Sequence, residues 1–266
     1  MSFNPAQFYE SGKYYLIKNN MKFNLDPANS VSYGGSGVAV NDISGNSQNA
    51  TLENTVTYSS SNGGIFTMGA NGIIGLGDVL DTQLNAGKLT WQGWFRLTSS
   101  TANINNILFA KQPGNPSTDN RAFFSTIRNL TGNSYGGLKV DFIYFGDVFG
   151  NDLRGLRGNT TIAINTWYNI AFTFDKDITT NNGLDKVKIY INGALETNTM
   201  VFTSGSQPTA ITNGSASPFC IGNMTNPSYA NPFQNFQGSI GQCCFYDRIL
   251  SQTEIQINYN TLKHRY

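Results

Sequence analysis

The sequence is poor in charge. Asp, Glu, Lys and Arg make up 12% of its 266 residues and leave a formal net charge of +1. Lys and Arg cluster nowhere, so the basic surface that a nucleic acid or an anionic membrane requires has no source here. Histidine is reduced to His264, and cysteine to Cys220, Cys243 and Cys244. An odd number of cysteines makes no disulfide framework. Neighbouring residues of a strand point to opposite faces, so Cys243 and Cys244 read as free thiols filling small apolar volumes. No run of about 18 apolar residues is available to cross a bilayer as a helix. The opening MSFNPAQFYESGKYYLIKNNMKF has neither a basic n-region nor an apolar h-region, so no signal peptide is expected and synthesis in a cytoplasm is.

Acid–base chemistry is equally short of parts. The glutamates are Glu10, Glu53, Glu196 and Glu254. Glycoside hydrolysis needs two carboxyl groups about 5 to 10 Å apart, and no strand carries Glu-x-Asp-x-Glu or a similar pair. With its one histidine near the end, the chain offers no Ser-His-Asp or Cys-His set. No catalytic residue is assigned and a non-enzyme is expected.

What the sequence does have is aromatic residues (13%, with 18 Phe and 13 Tyr), 28 Gly and frequent Asn. Gly and Asn accept positive φ and supply turns. Between them run alternating segments. In LTWQGWFRL, Leu89, Trp91, Phe95 and Leu97 alternate with Thr90, Gln92, Trp94 and Arg96. In WYNIAFTF, Tyr168, Ile170, Phe172 and Phe174 share a face. In KVKIYING, Val187, Ile189 and Ile191 alternate with Lys186, Lys188 and Tyr190. Period-2 patterning predicts strands with one face on a core. ATLENTVTYS, GIFTM, NILFAK, RAFFSTI, LKVDFIYFG and PFCIGN read as further strands, and Asn192-Gly193 as a hairpin turn. About a dozen strands with frequent turns predict an all-β, two-sheet antiparallel sandwich.

One helix is expected, at 251–263. Ser251 to Glu254 is a capping box, and Ile255, Tyr259 and Leu262 follow on one face. Before it, GSIGQCCFYDRIL reads as a closing strand, with Ile240, Gln242, Cys244 and Tyr246 on one face and Gly241, Cys243, Phe245 and Asp247 on the other. Two small thiols suit such a strand if both its faces are covered.

Four stretches carry a family resemblance: Leu25 to Asn54 with VNDISGNSQNATLEN, LTWQGWFRL, WYNIAFTFD with KVKIYINGAL, and FQGSIGQCCFYDRILSQTEIQINYNTLKHRY. They resemble the concanavalin A-like lectin/glucanase superfamily, in particular laminin-G-like jelly-roll domains of tailed-phage virion proteins. The resemblance covers residues 22–266 and implies a jelly roll with a C-terminal helix. It further implies a non-enzymatic virion structural protein, assembled in a host cytoplasm and exposed on the particle as a capsid decoration or fibre, or as a tail or baseplate component. Its expected partners are other capsid or tail proteins, in a homo-oligomer or in many copies, without nucleic acid and without membrane insertion. The alternative is a carbohydrate-binding module or receptor-binding tip for host surface polysaccharide.

Candidate sites follow from both readings. Trp94 and Tyr190 lie on the less apolar sides of their strands and are candidates for glycan binding on an open sheet face. Asp175, Asp177 and Asp185 are candidate calcium ligands around one strand–loop–strand unit, although the family's acidic pair after the second strand is missing from FTMGANGIIGLGD; otherwise no cofactor is expected. Residues 1–21 lie outside the resemblance. Phe3, Phe8, Tyr9, Tyr14 and Tyr15 make this segment too apolar for a solvated tail, so it reads as a partner-docking arm or an extra strand, the aromatic anchors favouring the arm.

Overall fold

A computed structural model describes residues 15–99, 105–112, 121–130, 137–146, 151–212, 217–224 and 235–266. Period-2 segments become strands in chain order: β1 (Met21–Leu25), β2 (Ala39–Val40), β3 (Ala50–Glu53), β4 (Val56–Ser59), β5 (Ile65–Met68), β6 (Ile73–Gly77), β7 (Lys88–Leu97), β8 (Asn106–Lys111) and β9 (Phe123–Asn129). There follow β10 (Leu138–Phe145), β11 (Leu153–Gly158), β12 (Tyr168–Asp175), β13 (Val187–Ile191), β14 (Ala194–Leu195), β15 (Asn198–Ser204), β16 (Phe219–Ile221) and β17 (Gly238–Tyr246). Helix α1 (Asp81–Ala86) interrupts the strands and α2 (Gln252–Leu262) ends them. The eight-stranded sheet runs β14-β13-β12-β7-β17-β5-β4 with β1 also on β17, and the nine-stranded sheet runs β15-β11-β10-β9-β8-β16-β6-β3-β2. All pairings between these strands are antiparallel. The fold is the expected two-sheet sandwich with a short C-terminal helix.

Aromatic rings from the two inner faces knit the core. Trp91 of β7 meets Phe123 at 4.8 Å and Phe142 at 5.4 Å across the sandwich. Phe95 meets Phe109 edge-on at 5.5 Å, and Phe23 meets Phe219 at 5.6 Å. Such pairs add about 0.5–1.5 kcal/mol each beyond their area burial. The sequence run ATLENTVTYS is not one strand. Asn54 turns the chain at φ 57°, and the two halves join different sheets as β3 and β4.

β17 is buried along its whole length, which accounts for its two thiols. Cys243 faces the aromatic core and Cys244 the opposite side. All three cysteines are free and buried, and burial pushes the Cys244 thiol up to about 11. One expectation for this strand needs correction. The register against β7 shifts between Ile240 and Cys243, so Ile240 shares the inner face with Cys243 and Phe245 rather than lying with Gln242 and Cys244. A bulge inserts an extra residue and resets the alternation. At Gly241 a Cβ would lie 2.3 Å from the Tyr266 hydroxyl; that hydroxyl accepts from the Gln242 amide at 3.0 Å.

The outward face of the eight-stranded sheet is a second, smaller core. Ile17, Met21, Ala171, Tyr190, Cys244, Tyr246, Leu250 and Ile255 form it, beneath α2 and the segment leading into β1. The amides of Gln92, Asn169 and Asn258 and the Tyr246 hydroxyl are paired there. Asn258 donates to Gln92 Oε1 at 2.9 Å and to the Tyr246 hydroxyl at 3.0 Å. Gln92 donates to Asn169 Oδ1 at 2.7 Å. The Ile17 amide donates to Asn258 Oδ1 at 2.8 Å, while Tyr246 donates to the Ile17 carbonyl at 2.9 Å. The boundary drawn at residue 21 therefore has chain on its arm side, Ile17 included, bonded into the sandwich.

The capping box forms: the Glu254 amide donates to Ser251 Oγ and the Ser251 amide to Glu254 Oε2. Arg248 grips the same carboxylate from outside, at 2.7 and 3.0 Å. Burial pushes the Glu254 carboxyl up, but Arg248 and the Ser251 amide outweigh it and hold it below its ordinary 4.5. A depressed carboxyl stabilises the folded state above its unfolded pKa, and the contribution fades as pH falls through the folded value. Ser251→Ala is expected to cost about 1 kcal/mol in denaturant unfolding near neutrality. Glu254→Gln is expected to flatten the loss of stability seen below about pH 4.5 when unfolding midpoints are followed into acid.

Candidate functional site

Where β13 meets the start of α2, the second core opens to solvent in a cleft of about 270 Å³. Two local features build it. The Asn192-Gly193 turn, with φ of 52° and 79°, folds β14 back beside β13. Thr90 anchors the other wall, donating to the Arg248 carbonyl at 2.8 Å and accepting from the Leu250 amide at 2.9 Å, which fixes Leu250, Ser251 and Gln252 at the rim. Strand alternation supplies the floor: Thr173 and Asp175 from β12, Lys188 and Tyr190 from β13, with Thr173 opposite Lys188 in register.

Tyr190 is 5% exposed, its body in the second core. Burial raises its pKa, and a hydrogen bond with Thr173 offsets part of the rise. Asp175 Oδ1 accepts the Asp177 amide at 3.0 Å. Asp185 lines the cleft with its carboxylate bonded to Thr180 Oγ1 at 2.7 Å and Asn181 Nδ2 at 3.0 Å; the Asn181 and Thr180 bonds hold its carboxyl below the usual range. Asp177 lies outside, between Lys176 at 2.7 Å and Lys88 at 3.0 Å, and these ammonium groups lower its carboxyl to about 2. Lys186 is turned inward, donating to the carbonyls of Lys176 and Thr209, and burial lowers its pKa.

The structure thus brings Tyr190, Asp175 and Asp185 to one cleft and leaves Asp177 outside it. The three aspartates do not gather: among the described residues no group of three His, Cys, Asp or Glu is placed to hold a metal ion. Trp94 is elsewhere and under cover, contrary to its expected open position. It is stacked between Tyr259 at 5.6 Å and Tyr266 at 4.5 Å, because α2 and the residues after it lie back over the sheet. Tyr190 is also largely roofed, and only the cleft side of it meets solvent. Of the docking residues, Phe3, Phe8, Tyr9 and Tyr14 lie outside the described residues, and Tyr15 is 48% exposed. Thr173 and Lys188 were not singled out from sequence, although the alternation in TFD and KVKIY already set them on the face of Asp175 and Tyr190.

Two of the glutamates are spent on structure. Glu254 caps α2, and Glu196 accepts the amides of Asn159 and Thr160 at 2.9 and 2.7 Å.

Addition of calcium, or of a chelator, is expected to leave the thermal unfolding midpoint unchanged. A rise with calcium that Asp175→Asn removes would restore the metal reading.

No curated protein matches the chain in sequence. Among solved structures, domain 4 of the extracellular arabinanase AbnA of Geobacillus stearothermophilus, in complex with arabinotriose, is similar over 89% of this chain and 97% of that one, with 16% identity and a TM-score of 0.55. The binding domain of Paraclostridial Mosquitocidal Protein 1 matches over 92% of this chain and 52% of that one, with 16% identity and a TM-score of 0.58. The binding domain of botulinum neurotoxin DC, in complex with sialylT, matches over the same shares, with 13% identity and a TM-score of 0.59. The chain thus spans about half of those toxin domains, and at these identities the likeness is one of fold. The family model for concanavalin A-like lectin/glucanases, Laminin_G_3, matches residues 68–256, most of both sheets and the first turn of α2, and by that match the chain belongs to the concanavalin A-like lectin/glucanases superfamily.

Proposed function

We propose that this chain is a non-enzymatic recognition module that binds carbohydrate and is carried on a tailed-phage particle. The convergence of Tyr190, Thr173, Asp175 and Lys188 on one cleft carries the reading. A sugar ring presents apolar C–H faces and hydroxyls that both donate and accept. An aromatic side chain, a carboxylate acceptor, an ammonium donor and a hydroxyl answer each of these, the mix of apolar wall and few polar groups found in small-molecule sites. At about 270 Å³ the cleft lies just under the usual range of about 300–1,000 Å³ and suits one sugar unit. Weak single-site binding of that kind becomes strong when many copies are displayed together. The arabinotriose of the arabinanase domain and the sialylT of the toxin domain support carbohydrate as the ligand class. The commitment of Glu196 and Glu254 to structure supports a non-enzyme. The resemblance of the closing strand and helix to phage virion proteins supports the setting.

The isolated protein is expected to bind a subset of polysaccharides on a glycan array without releasing reducing sugar from any β-glucan. Lys188→Ala and Asp175→Asn, both in the cleft lining, are expected to weaken that binding at least tenfold with no change in melting temperature. Binding that survives both substitutions would place the ligand elsewhere.

A second role, assembly through the first residues, is favoured by the aromatic content of that segment and by the bonding of Ile17 into the sandwich. Deletion of residues 1–14 is expected to leave unfolding unchanged and to abolish incorporation into particles. Deletion of residues 1–21 is expected to lower stability as well, because Ile17 and Met21 leave the second core. Full incorporation of the shorter deletion would end the docking-arm reading.

A further inference from the structure

Five strands pair with a single neighbour, and they are unequal. β2 and β14 are two residues long, β4 is four and β1 five, but β15 is seven. A strand edge is a row of unpaired amides and carbonyls, and natural sheets blunt it by shortening the strand, by charge, by proline or by a bulge. β15 reads Asn-Thr-Met-Val-Phe-Thr-Ser, without charge and without proline. One side of it pairs with β11, and among the described residues nothing pairs with the other. Its single irregularity falls at its start, where the register shifts between Arg157 and Gly158, leaving Met200–Ser204 in unbroken register with β11. Val201 is 48% exposed, and Thr203 and Ser204 are exposed. The Arg128 guanidinium lies 5.0 Å from the centre of the Phe202 ring.

Charge decides what kind of strand fits. From Glu196 to Asp247 the intervening chain has no charged residue at all. An unlike partner is ordinarily steered and selected by complementary charge, and this edge has none to offer. A copy of the same strand needs none. About a two-fold axis the residue on the axis faces itself and those beside it face near neighbours, so a charge near the axis would be set close to its like; β15 has no such penalty. Thr, Val and Phe are also residues that gain from cross-strand pairing.

We propose that β15 pairs antiparallel with β15 of a second copy of this chain, joining two nine-stranded sheets into one continuous sheet. The sugar cleft lies on the other sheet of each copy, so the pairing leaves both clefts open. The inference stands whether or not the cleft binds carbohydrate.

The test is the mass of the full-length protein in solution by light scattering and sedimentation over a concentration series. The parent is expected at twice the monomer mass. Val201→Lys is expected to weaken the dimer at least tenfold with unchanged thermal unfolding of the fold. Thr203→Lys is a second variant at an exposed side chain, for use if the first fails to fold. Thr203→Cys is expected to form an interchain disulfide under mild oxidation, the native thiols being buried. A parent that stays monomeric at every concentration overturns the proposal, and so does a dimer that withstands both lysine variants. A dimer lost on deleting residues 1–14 but kept in Val201→Lys would make the N-terminal segment the interface instead, and would equally overturn it.

Discussion

Gln92 sits in the middle of a sheet that is dry on both sides, and much of the molecule follows from how its amide is satisfied. Its nitrogen donates to Asn169 at 2.7 Å and to the Ile255 carbonyl at 3.2 Å, and its oxygen accepts from Asn258 at 2.9 Å. Asn258 then reaches Tyr246 and Ile17. Leaving one such buried group without a partner costs about 1–3 kcal/mol, a large share of a typical stability of about 5–15 kcal/mol. The network has little freedom to rearrange, because β7, β12, β17, α2 and the segment before β1 each contribute a member. An all-apolar layer would let α2 slide along the sheet; a closed set of amide and phenol bonds accepts one position of the helix.

That position is what makes the cleft. The N-terminal end of α2 is tied to β7 through Thr90, and the far end is clamped by Arg265 on Asp26 at 2.6 and 3.0 Å and by Tyr266 in its slot beside Trp94. Ser251 and Gln252 are therefore presented to Tyr190 and Lys188 by a helix held at both ends. A site on rigid elements binds without first ordering itself, which spares affinity the entropy of immobilising loops. The same clamp removes Trp94 from service as a ligand platform: two tyrosines of its own chain already occupy its face.

The sandwich was legible in the sequence because its signal is local. An apolar face at period 2 reports a strand wherever Leu89, Trp91 and Phe95 or Ile170, Phe172 and Phe174 occur, and Ser251 with Glu254 announces a helix within four residues. What escaped depends on distant chain. The facing of Ile240 turns on a bulge that receives a hydroxyl from residue 266. The split between β3 and β4 hangs on a left-handed Asn54 inside an otherwise regular alternation. Helix α1 is six residues long, and Leu80 before it, at φ 70°, makes no side-chain cap, so no start signal exists to read. For the cleft, the alternation marked Tyr190 and Lys188 as neighbours on one face, but nothing local said that α2 would wall that face on one side and roof Trp94 entirely.

The placement of β17 has a consequence in time. It lies at the heart of its sheet, bonded to β7 on one side and to both β5 and β1 on the other, yet it is the last of these strands to be made. Until residues 238–246 leave the ribosome, β1, β5 and β7 have no common neighbour, and the loops to be closed in joining them span some of the longest separations in the chain. Closing such loops costs entropy before any contact repays it, which slows folding. At about 5–20 residues per second, translation holds the nascent chain half-paired for seconds, with its long uncharged stretch already emerging. In a chain so wired the eight-stranded sheet closes only once its last strand has emerged, and the yield in a cell will depend on what shields that waiting sheet.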